Sequence, residues 1–388
     1  MKKLCLNIAV AMVSCIGLFA TSASAANRTV NCDEGQSIQD ALEKGQGSAA
    51  PLYIDVSGSC EEVVTISRDD VTIDGDETAT VIGTIIVEGG RRINISAITI
   101  TGPGPGVVAA AGYLKLRNVV ITGNSGTGVF ATQSAYVGVL KSTVSNNDQG
   151  GVLASDGSSV FVRNTSINGH DGDGIRLSQG AIGTVGKSII SGNFNGIEAL
   201  AGTVVIEQNT TISGNANHGI DADFHSSVQI SDSAVSNNDQ GGVLGRNGSS
   251  VIVDNTYITD HNEMDGITIL SNATARLERA TISGNFNGIG ALIGTVVIGD
   301  DTTISGNANH GIDADFHSSV QISDSAITNN GVMGIKLELD SGLITFDNVT
   351  ISGNGDFDVF CGDTESSFQT LSFIDADVEC TDFNQFAP

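Results

Sequence analysis

Three charged side chains at nearly regular spacing are the first candidates for chemistry in this sequence. Arg176, Glu198 and Asp221 follow one another at almost equal intervals, and His218 lies three positions before the last of them. Carboxylates hold cations or transfer protons, whereas arginine and histidine stabilise or move charge. This spacing predicts side chains that stand above one another on successive turns of a repeated structure.

A tandem duplication carries part of this set a second time. The segment from Thr210 to Ala234 recurs without one change from Thr302 to Ala326. The second copy keeps four polar positions, which are the pairs His218 and His310, Asp221 and Asp313, Asp223 and Asp315, and His225 and His317. Outside the identical block, Arg176 is replaced by Thr268. Glu198 is replaced by Gly290, so only the first copy has the full charged stack.

A repeat with a period of 22 to 24 positions accounts for both the spacing and the duplication. A glycine followed by valine or isoleucine marks each period, at Gly106, Gly128, Gly151, Gly174, Gly196, Gly219, Gly242, Gly266, Gly288, Gly311 and Gly334. Each period holds three short alternations of apolar and polar residues, which predict three strands. We expect each strand to pair with its copy one turn on, about 4.8 Å away. Four periods equal the offset of 92 positions between the two copies.

One corner of the repeat is nearly always asparagine. The corner residues are Asn124, Asn147, Asn193, Asn215, Asn238, Asn262, Asn285, Asn307, Asn330 and Asn354. Asparagine tolerates the left-handed backbone of a sharp corner, and stacked amides hydrogen-bond along a ladder. We interpret these residues as structural, and His170 and His218 as further hydrogen-bonding corners.

Two terminal segments differ from the repeat and are predicted to cap it. In residues 26–50, Ser37 followed three positions later by Asp40 resembles a capping box, and we expect a short amphipathic helix there. From Phe346 onward the chain holds seven of its 14 phenylalanines. Residues 361–388 are therefore interpreted as a C-terminal cap with its own apolar plug.

The repeat resembles the right-handed parallel β-helix of the pectate-lyase-like superfamily, and the phrase VTIDG at residues 71–75 is typical of its first turns. The resemblance implies an all-β fold with three sheets over residues 51–360. In that superfamily the active groove lies over the first sheet, whose strand here follows the marker glycine. Strand alternation turns the second residue after that glycine outward. The outward residues are Phe130, Leu153, Arg176, Glu198, Asp221, Leu244, Thr268, Gly290, Asp313 and Lys336.

The resemblance also implies a chemistry for the charged stack. Lyases of this superfamily bind Ca²⁺ through carboxylates, which neutralises a uronate carboxyl, and remove the C5 proton with an arginine or lysine. Glu198 and Asp221 would be the Ca²⁺ ligands and Arg176 the base, with His218 beside them. The segment HGIDAD is similar to a motif of mannuronan epimerases, in which the first aspartate matches Asp221. Further candidate Ca²⁺ ligands are Asp223, Asp313 and Asp315.

Structural interpretations compete with these catalytic roles. Asp221 and Asp313 are consistent with a solvated sheet face, and Arg176 with Glu198 is consistent with an exposed ion pair that contributes little. The turns are almost uniform in length, so long loops that would wall a substrate groove are not expected. The extended signatures of the lyases and of the related galacturonases are not found.

Three functions remain open from the sequence. The first is a β-helix that binds carbohydrate or a cell-surface partner without turnover. The second is a Ca²⁺-dependent lyase or C5-epimerase that acts on a uronic-acid polysaccharide with Arg176, Glu198 and Asp221. The third is a passenger module of a larger surface system. Smooth turns and missing signatures favour the first, and the charged stack favours the second.

The N-terminus and the cysteines indicate a secreted or periplasmic protein. Residues 1–25 combine a basic start, an apolar run and a final Ala-Ser-Ala, which are features of a secretory signal peptide. The four later cysteines allow three pairings. Disulfides between neighbours would close short loops at each end, joining Cys32 to Cys60 and Cys361 to Cys380.

The net charge restricts the partners that we expect. A formal charge of -27 disfavours nucleic acid and anionic membranes. It also disfavours an acidic polysaccharide unless a divalent cation bridges the two. After the signal segment no stretch is apolar enough for membrane insertion.

Overall fold

The chain forms a right-handed parallel β-solenoid of about 15 turns in the computed structural model. The structure describes residues 25–261, 263–345, 348–362, 366–370, 377–380 and 382–385. The predicted signal peptide lies outside these residues, except for Ala25. Each regular turn contributes one strand to each of three parallel sheets, which we number one to three in chain order from the marker glycine.

Sheet one contains the strands that follow the marker glycines. Its 15 strands are Val64–Ile66, Ile85–Glu88, Val107–Ala110, Thr127–Thr132, Gly150–Ala154, Ile175–Ser178, Ile197–Leu200, His218–Asp223, Gly241–Gly245, Ile267–Leu270, Ile289–Leu292, Ile312–Asp315, Met333–Leu337, Phe357–Cys361 and Val378–Glu379. Every second side chain of each strand packs inside the coil. The interior column therefore consists of aliphatic residues such as Ile175, Ile197 and Ile220, which are fully buried.

Sheets two and three complete each turn. Two long strands, Val71–Ile82 and Ile93–Thr101, run round the corner and belong to both sheets. The other strands of sheet two are Ala26–Asn31, Leu52–Ser57, Tyr113–Arg117, Tyr136–Leu140, Ser159–Arg163, Ile182–Gly186, Thr203–Glu207, Ser227–Ser231, Ser250–Asp254, Thr274–Glu278, Thr295–Gly299, Ser319–Ile322, Gly342–Thr345, Ser367–Thr370 and Asp382–Gln385. The other strands of sheet three are Ser59–Cys60, Val120–Thr122, Thr143–Ser145, Ser166–Asn168, Ile189–Ser191, Thr211–Ser213, Ala234–Ser236, Tyr257–Thr259, Thr281–Ser283, Thr303–Ser305, Ala326–Thr328 and Thr350–Ser352.

The asparagine ladder is present, with two corrections. Its buried amides hydrogen-bond from turn to turn, as when Asn215 Nδ2 donates to Asn238 Oδ1 at 2.8 Å. Two rungs are histidines, because His170 and His261 stand at ladder positions, and the predicted Asn262 lies outside the described residues. The left-handed residue of the corner is the one before each rung, such as Asn237 with φ 52°, so the backbone role predicted for the rung asparagines is wrong.

The ladder explains the marker glycine. A Cβ at Gly219 would lie 2.6 Å from Val235 Cγ1 and 2.7 Å from Asn238 Nδ2. Real Cβ atoms do not approach other heavy atoms so closely, because interiors are packed at van der Waals separation. The glycine period is therefore a packing requirement of the rung beside it.

The N-terminal helix is confirmed. The helix α1 (Ile38–Gly45) follows a 3₁₀ turn (Cys32–Glu34) and buries its apolar face. Ser37 Oγ accepts the Asp40 N–H, as a capping box predicts. The carboxylate that completes the cap comes from Glu62, which accepts the N–H groups of the first two helical residues. A partner so distant in sequence could not be found from local pattern.

The C-terminal region continues the coil. Strands Ser367–Thr370 and Asp382–Gln385 pair in register with the preceding turns of sheet two. Of the seven phenylalanines predicted to form a plug, Phe357 and Phe360 have described side chains, and their ring centroids are 5.7 Å apart. The other five side chains lie outside the described residues.

Disulfides join Cys32 to Cys60 and Cys361 to Cys380. Such bonds fit an extracellular or periplasmic location, because they persist in oxidising compartments. Within the described residues, no helix has the length and apolarity needed to cross a membrane.

Candidate functional site

The outer face of sheet one carries three columns of side chains. Strand pairing aligns Arg176 with Glu198 and Glu198 with Asp221, so the middle column contains the predicted outward residues. The left column consists of the residues that directly precede the marker glycines, among them Thr127, Gly150, Asp173, Asn195, His218 and Gly241. The right column lies two residues beyond the middle one and includes Ser178, Leu200, Asp223 and Arg246.

Arg176 lies above two carboxylates. Its Nε is 3.0 Å from Glu198 Oε2, and its Nη1 is 3.8 Å from Asp173 Oδ2. The Arg176 side chain is 47% exposed, whereas the Glu198 side chain is 14% exposed. Asp173 is held by Asn195, whose Nδ2 donates to its Oδ1 at 2.9 Å. The cation therefore faces solvent and its counterions lie beneath it.

Arg246 forms a second charged group that the sequence did not reveal. Its Nη2 is 3.1 Å from Asp221 Oδ2, and its Nε is 3.0 Å from Asp223 Oδ2. Asp221 is 4% exposed, so its interpretation as part of a solvated face is wrong. The sequence contained one sign of this contact, which was the position of Arg246. It directly follows the strand Gly241–Gly245 and comes after Asp223 in the right column.

Burial and like charge raise the pKa of the central carboxyls. Burial, the Asp173 carboxylate and a hydrogen bond with Asp173 raise the pKa of Glu198 to about 7, although Arg176 opposes the shift. Burial also raises the pKa of Asp221, against the effect of Arg246. Glu198 is therefore a carboxyl that holds its proton up to about neutral pH.

His218 is neutral and lacks a hydrogen bond at Nδ1. Burial and the nearby Arg246 cation lower its pKa to about 4. Its Nδ1 is buried without a partner, which contradicts its interpretation as a hydrogen-bonding corner. His170 does fit that interpretation, because its Nδ1 accepts the Asn147 N–H at 3.0 Å.

The second copy neutralises its aspartate differently. Lys336 Nζ lies 3.5 Å from Asp313 Oδ1 and 2.9 Å from Glu338 Oε2, so Asp313 is ion-paired and not simply solvated. Glu338 is at the position of Arg246, which reverses the charge there. Asp265 is at the position of Asp173, and burial raises its pKa to about 6.

A shallow depression borders the first charged group. It has a volume of about 220 Å³, and Leu153, Asp173 and Arg176 line it together with Gly150 and Gly151. The absence of a side chain at Gly150 opens this part of the left column. A polar rim beside an apolar floor is typical of a ligand contact.

The arrangement does not fit the predicted calcium site. Ca²⁺ takes six to eight oxygen ligands. Asp221 and Asp223 are occupied by Arg246, and Asp313 is occupied by Lys336. Across the described residues, the one group of three His, Cys, Asp or Glu ligand atoms within 4.8 Å of one another is Cys32, Cys60 and Glu62, in which the cysteines are disulfide-bonded.

The pH dependence of stability tests the Glu198 environment. Because the folded state raises the pKa of Glu198 from 4.5 to about 7, it binds the proton more tightly than the unfolded state does. Stability from this group is present below about pH 4.5 and declines as the pH rises to about 7. We expect Glu198→Gln to remove this decline, so that the variant gains up to about 3 kcal/mol relative to wild type across the window.

Urea denaturation near pH 4.5 and near pH 8 measures this difference. Asp173→Asn serves as a second variant, because removal of the neighbouring carboxylate is expected to move the Glu198 decline to lower pH. Parallel stability profiles for wild type and Glu198→Gln would contradict the assignment.

Sheet, ladder and charged columns together define an elongated parallel β-helix with a charged outer face on sheet one. The model of the family described as "Right handed beta helix region" matches residues 83–227, 203–351 and 265–373, so the chain belongs to this family. A search of curated proteins found none that matches.

Two solved structures share the fold at low sequence identity. The periplasmic alginate epimerase AlgG is 14% identical with a TM-score of 0.55, over 92% of this chain and 83% of that chain. A chain of the Vag8–C1 inhibitor complex is 11% identical with a TM-score of 0.58, over 94% of this chain and 100% of that chain. Identities this low show the fold alone.

Proposed function

We propose that the protein is an exported β-helix that binds a polysaccharide along the outer face of sheet one. The half-exposed Arg176 guanidinium above Asp173 and Glu198, at the edge of the depression, is the observation that carries this proposal. Guanidinium and carboxylate groups suit the hydroxyl groups of a sugar chain, and Arg176, Glu198 and Asp221 stand on three successive turns at a spacing of ~4.8 Å. An elongated ligand can therefore contact several turns at once.

The shape of the site favours binding over turnover. Because the turns are almost uniform in length, none of the described residues forms a long loop over sheet one that would exclude water from a reacting bond. Asp221 and Asp223 are neutralised by Arg246, so they are held as parts of the fold. The fold match to an alginate epimerase fits a polysaccharide ligand, and the two disulfides fit export.

The second copy supplies the variant for the test. Arg176→Thr with Glu198→Gly installs the residues that Thr268 and Gly290 provide in the same scaffold. We expect the double variant to fold and to bind its polysaccharide at least about tenfold more weakly, because it loses the solvent-facing cation and its counterion. Isothermal titration against a panel of neutral and uronate polymers measures the loss.

The matched control is Thr274→Ala, which removes a polar side chain from sheet two and leaves sheet one intact. Equal affinity of the wild type and the Arg176→Thr/Glu198→Gly variant for every polymer that binds would contradict the proposal.

Turnover of a uronate polymer is the second candidate. The observation that favours it is the Glu198 carboxyl with a pKa of about 7, on a strand that pairs with the strand of the neutral His218. A protonated carboxyl at neutral pH can act as a general acid, and a neutral imidazole can accept a proton. Formation of unsaturated sugars or C5 inversion by the wild type, and its loss in Glu198→Gln, would support this candidate. No product from polygalacturonate or alginate would exclude it for those polymers.

A further inference from the structure

A second groove runs along the corner between sheets two and three, away from the charged columns of sheet one. Three depressions occupy successive stretches of this corner. The first, about 410 Å³, is lined by Asn118, Val120 and Lys141 among others. The second and third, about 320 and 360 Å³, are lined in part by Asp232 and Asp324 respectively. The three depressions lie at the same corner of the coil, but Lys141 lines the first of them, whereas aspartates line the second and the third.

The N-terminal stretch of this groove, which we name the basic corner, has one cation on each of four successive turns. Arg117 and Arg163 end strands of sheet two, two turns apart. Lys141 is the left-handed corner residue of the turn between them, with φ 51°, and Lys187 is that of the turn after Arg163, with φ 52°. The cations therefore alternate between two adjacent columns and follow one another at the rise of the coil, about 4.8 Å.

These four cations lack a counterion. Among the described residues, no carboxylate oxygen lies within 4.0 Å of their charged nitrogens. Arg163 Nη2 donates to the neutral Gln208 at 2.8 Å. The contrast is Arg279, the duplicate of Lys187 at the same corner position, which is paired with Asp254.

Local charge also separates this region from the rest of the molecule. Residues 113–187 contain six Lys or Arg and four Asp, a net charge of +2 in a chain of net charge -27. None of the four aspartates lies in the groove, because Asp148, Asp156, Asp171 and Asp173 belong to the other two corners and to sheet one. Glu77 lines the N-terminal part of the same depression as Lys141, and Glu207 follows Gly186 on the next strand of sheet two. The negative net charge of the whole chain therefore does not exclude an acidic polymer from the basic corner.

The opposite wall of the basic corner is formed by sheet three. Its outward residues are Val120, Thr143, Ser166 and Ile189. Hydroxyl and aliphatic side chains can contact the hydroxyl groups and the C–H face of a sugar. None of the residues that line the depression is aromatic, and Tyr113 and Tyr136, at the far end of their strands, stack on each other at 4.7 Å. A nucleobase would need such a ring to stack on. The lining therefore favours a sugar polymer over a nucleic acid.

We propose that the basic corner binds a linear acidic polysaccharide, with one carboxylate of the polymer opposite each of Arg117, Lys141, Arg163 and Lys187. A uronate polymer carries one carboxylate per sugar, and one sugar of an extended chain is close in length to one turn of the coil. This second surface shares its class of ligand with the proposed function and does not depend on sheet one. The acidic C-terminal stretch of the same corner repels such a polymer and sets where it ends.

The test uses the full mature protein and polygalacturonate at low ionic strength. Lys141→Gln with Lys187→Gln is expected to weaken binding at least tenfold and to reduce the dependence of affinity on salt, because fewer counterions are released. The matched control is Arg279→Gln, which changes a paired cation at the duplicate position and is expected to leave affinity within about twofold. Dextran, a neutral polymer, is expected not to bind this surface.

The two binding surfaces are separated by combining variants. Polygalacturonate binding that survives Arg176→Thr/Glu198→Gly and disappears when Lys141→Gln and Lys187→Gln are added supports the basic corner. Complete loss in Arg176→Thr/Glu198→Gly alone overturns the basic corner. Complete loss in Lys141→Gln/Lys187→Gln alone overturns polygalacturonate binding on sheet one. Tighter binding of oligodeoxythymidylate than of polygalacturonate overturns the glycan as the occupant.

Discussion

Replacement of Arg246 by alanine is expected to lower the free energy of unfolding by about 3 kcal/mol, the lower end of the range for loss of one partner from a buried ion pair. The lower end applies because the Arg246 side chain is itself 37% exposed. The loss is large because Asp221 and Asp223, both nearly buried, would be left without their cation. Burial raises the pKa of Asp221, and its protonation would remove one uncompensated charge, so the loss should be smaller in acid.

Two controls isolate this effect. Arg279→Ala removes an arginine from an exposed pair with Asp254 and is expected to cost less than about 1 kcal/mol. Adding Asp221→Asn and Asp223→Asn to Arg246→Ala removes the uncompensated charge and is expected to restore part of the stability. Urea denaturation at neutral pH measures all three proteins. Equal losses for Arg246→Ala and Arg279→Ala would show that the aspartates are not held as the structure indicates.

Replacement of Asn215 by alanine is the second change with a large expected effect. The Asn215 Oδ1 accepts both the N–H and the Nδ2 of Asn193 at 3.1 Å, and its Nδ2 donates to Asn238. Alanine would leave two buried donors of Asn193 unpaired, at about 1–3 kcal/mol each. We expect a loss of about 3 kcal/mol in the free energy of unfolding.

The histidine rungs provide the matched comparison for this variant. His170 satisfies the Asn147 N–H through Nδ1 and contacts the Val144 carbonyl through Nε2 at 3.2 Å. Asn215→His is therefore expected to cost less than half as much as Asn215→Ala at neutral pH. Burial lowers the pKa of His170, so the imidazole of such a rung stays neutral there. A histidine variant as unstable as the alanine variant would contradict the equivalence of the two rungs.

Period and duplication were sufficient to predict a three-sided coil and the middle column of sheet one. A period of 22 to 24 positions placed Arg176, Glu198 and Asp221 on neighbouring strands, and the pairing confirms it. The helix at Ser37 followed from local chemistry, because its cap and its apolar face lie within one short segment. Both results depend on distances along the chain, which the sequence contains directly.

Burial and counterions could not be predicted in the same way. Alternation shows that Asp221 leaves the interior, and it does not show that Arg246 covers it from the next turn. The rung at His261 was missed because the neighbouring Asn262 matched the expected residue type. The basic corner was missed because net charge averages over the chain, whereas binding depends on which cations lack a counterion.

Polysaccharide binding by Arg176 and Glu198 on sheet one is the central claim. The most direct test uses protein that carries Lys141→Gln and Lys187→Gln, so that the basic corner does not contribute. Isothermal titration compares its affinity for the polymer panel with and without Arg176→Thr and Glu198→Gly. We expect a loss of at least about tenfold for the polymer that binds best. Unchanged affinity for every polymer, or no binding before the sheet-one residues are changed, would contradict the claim.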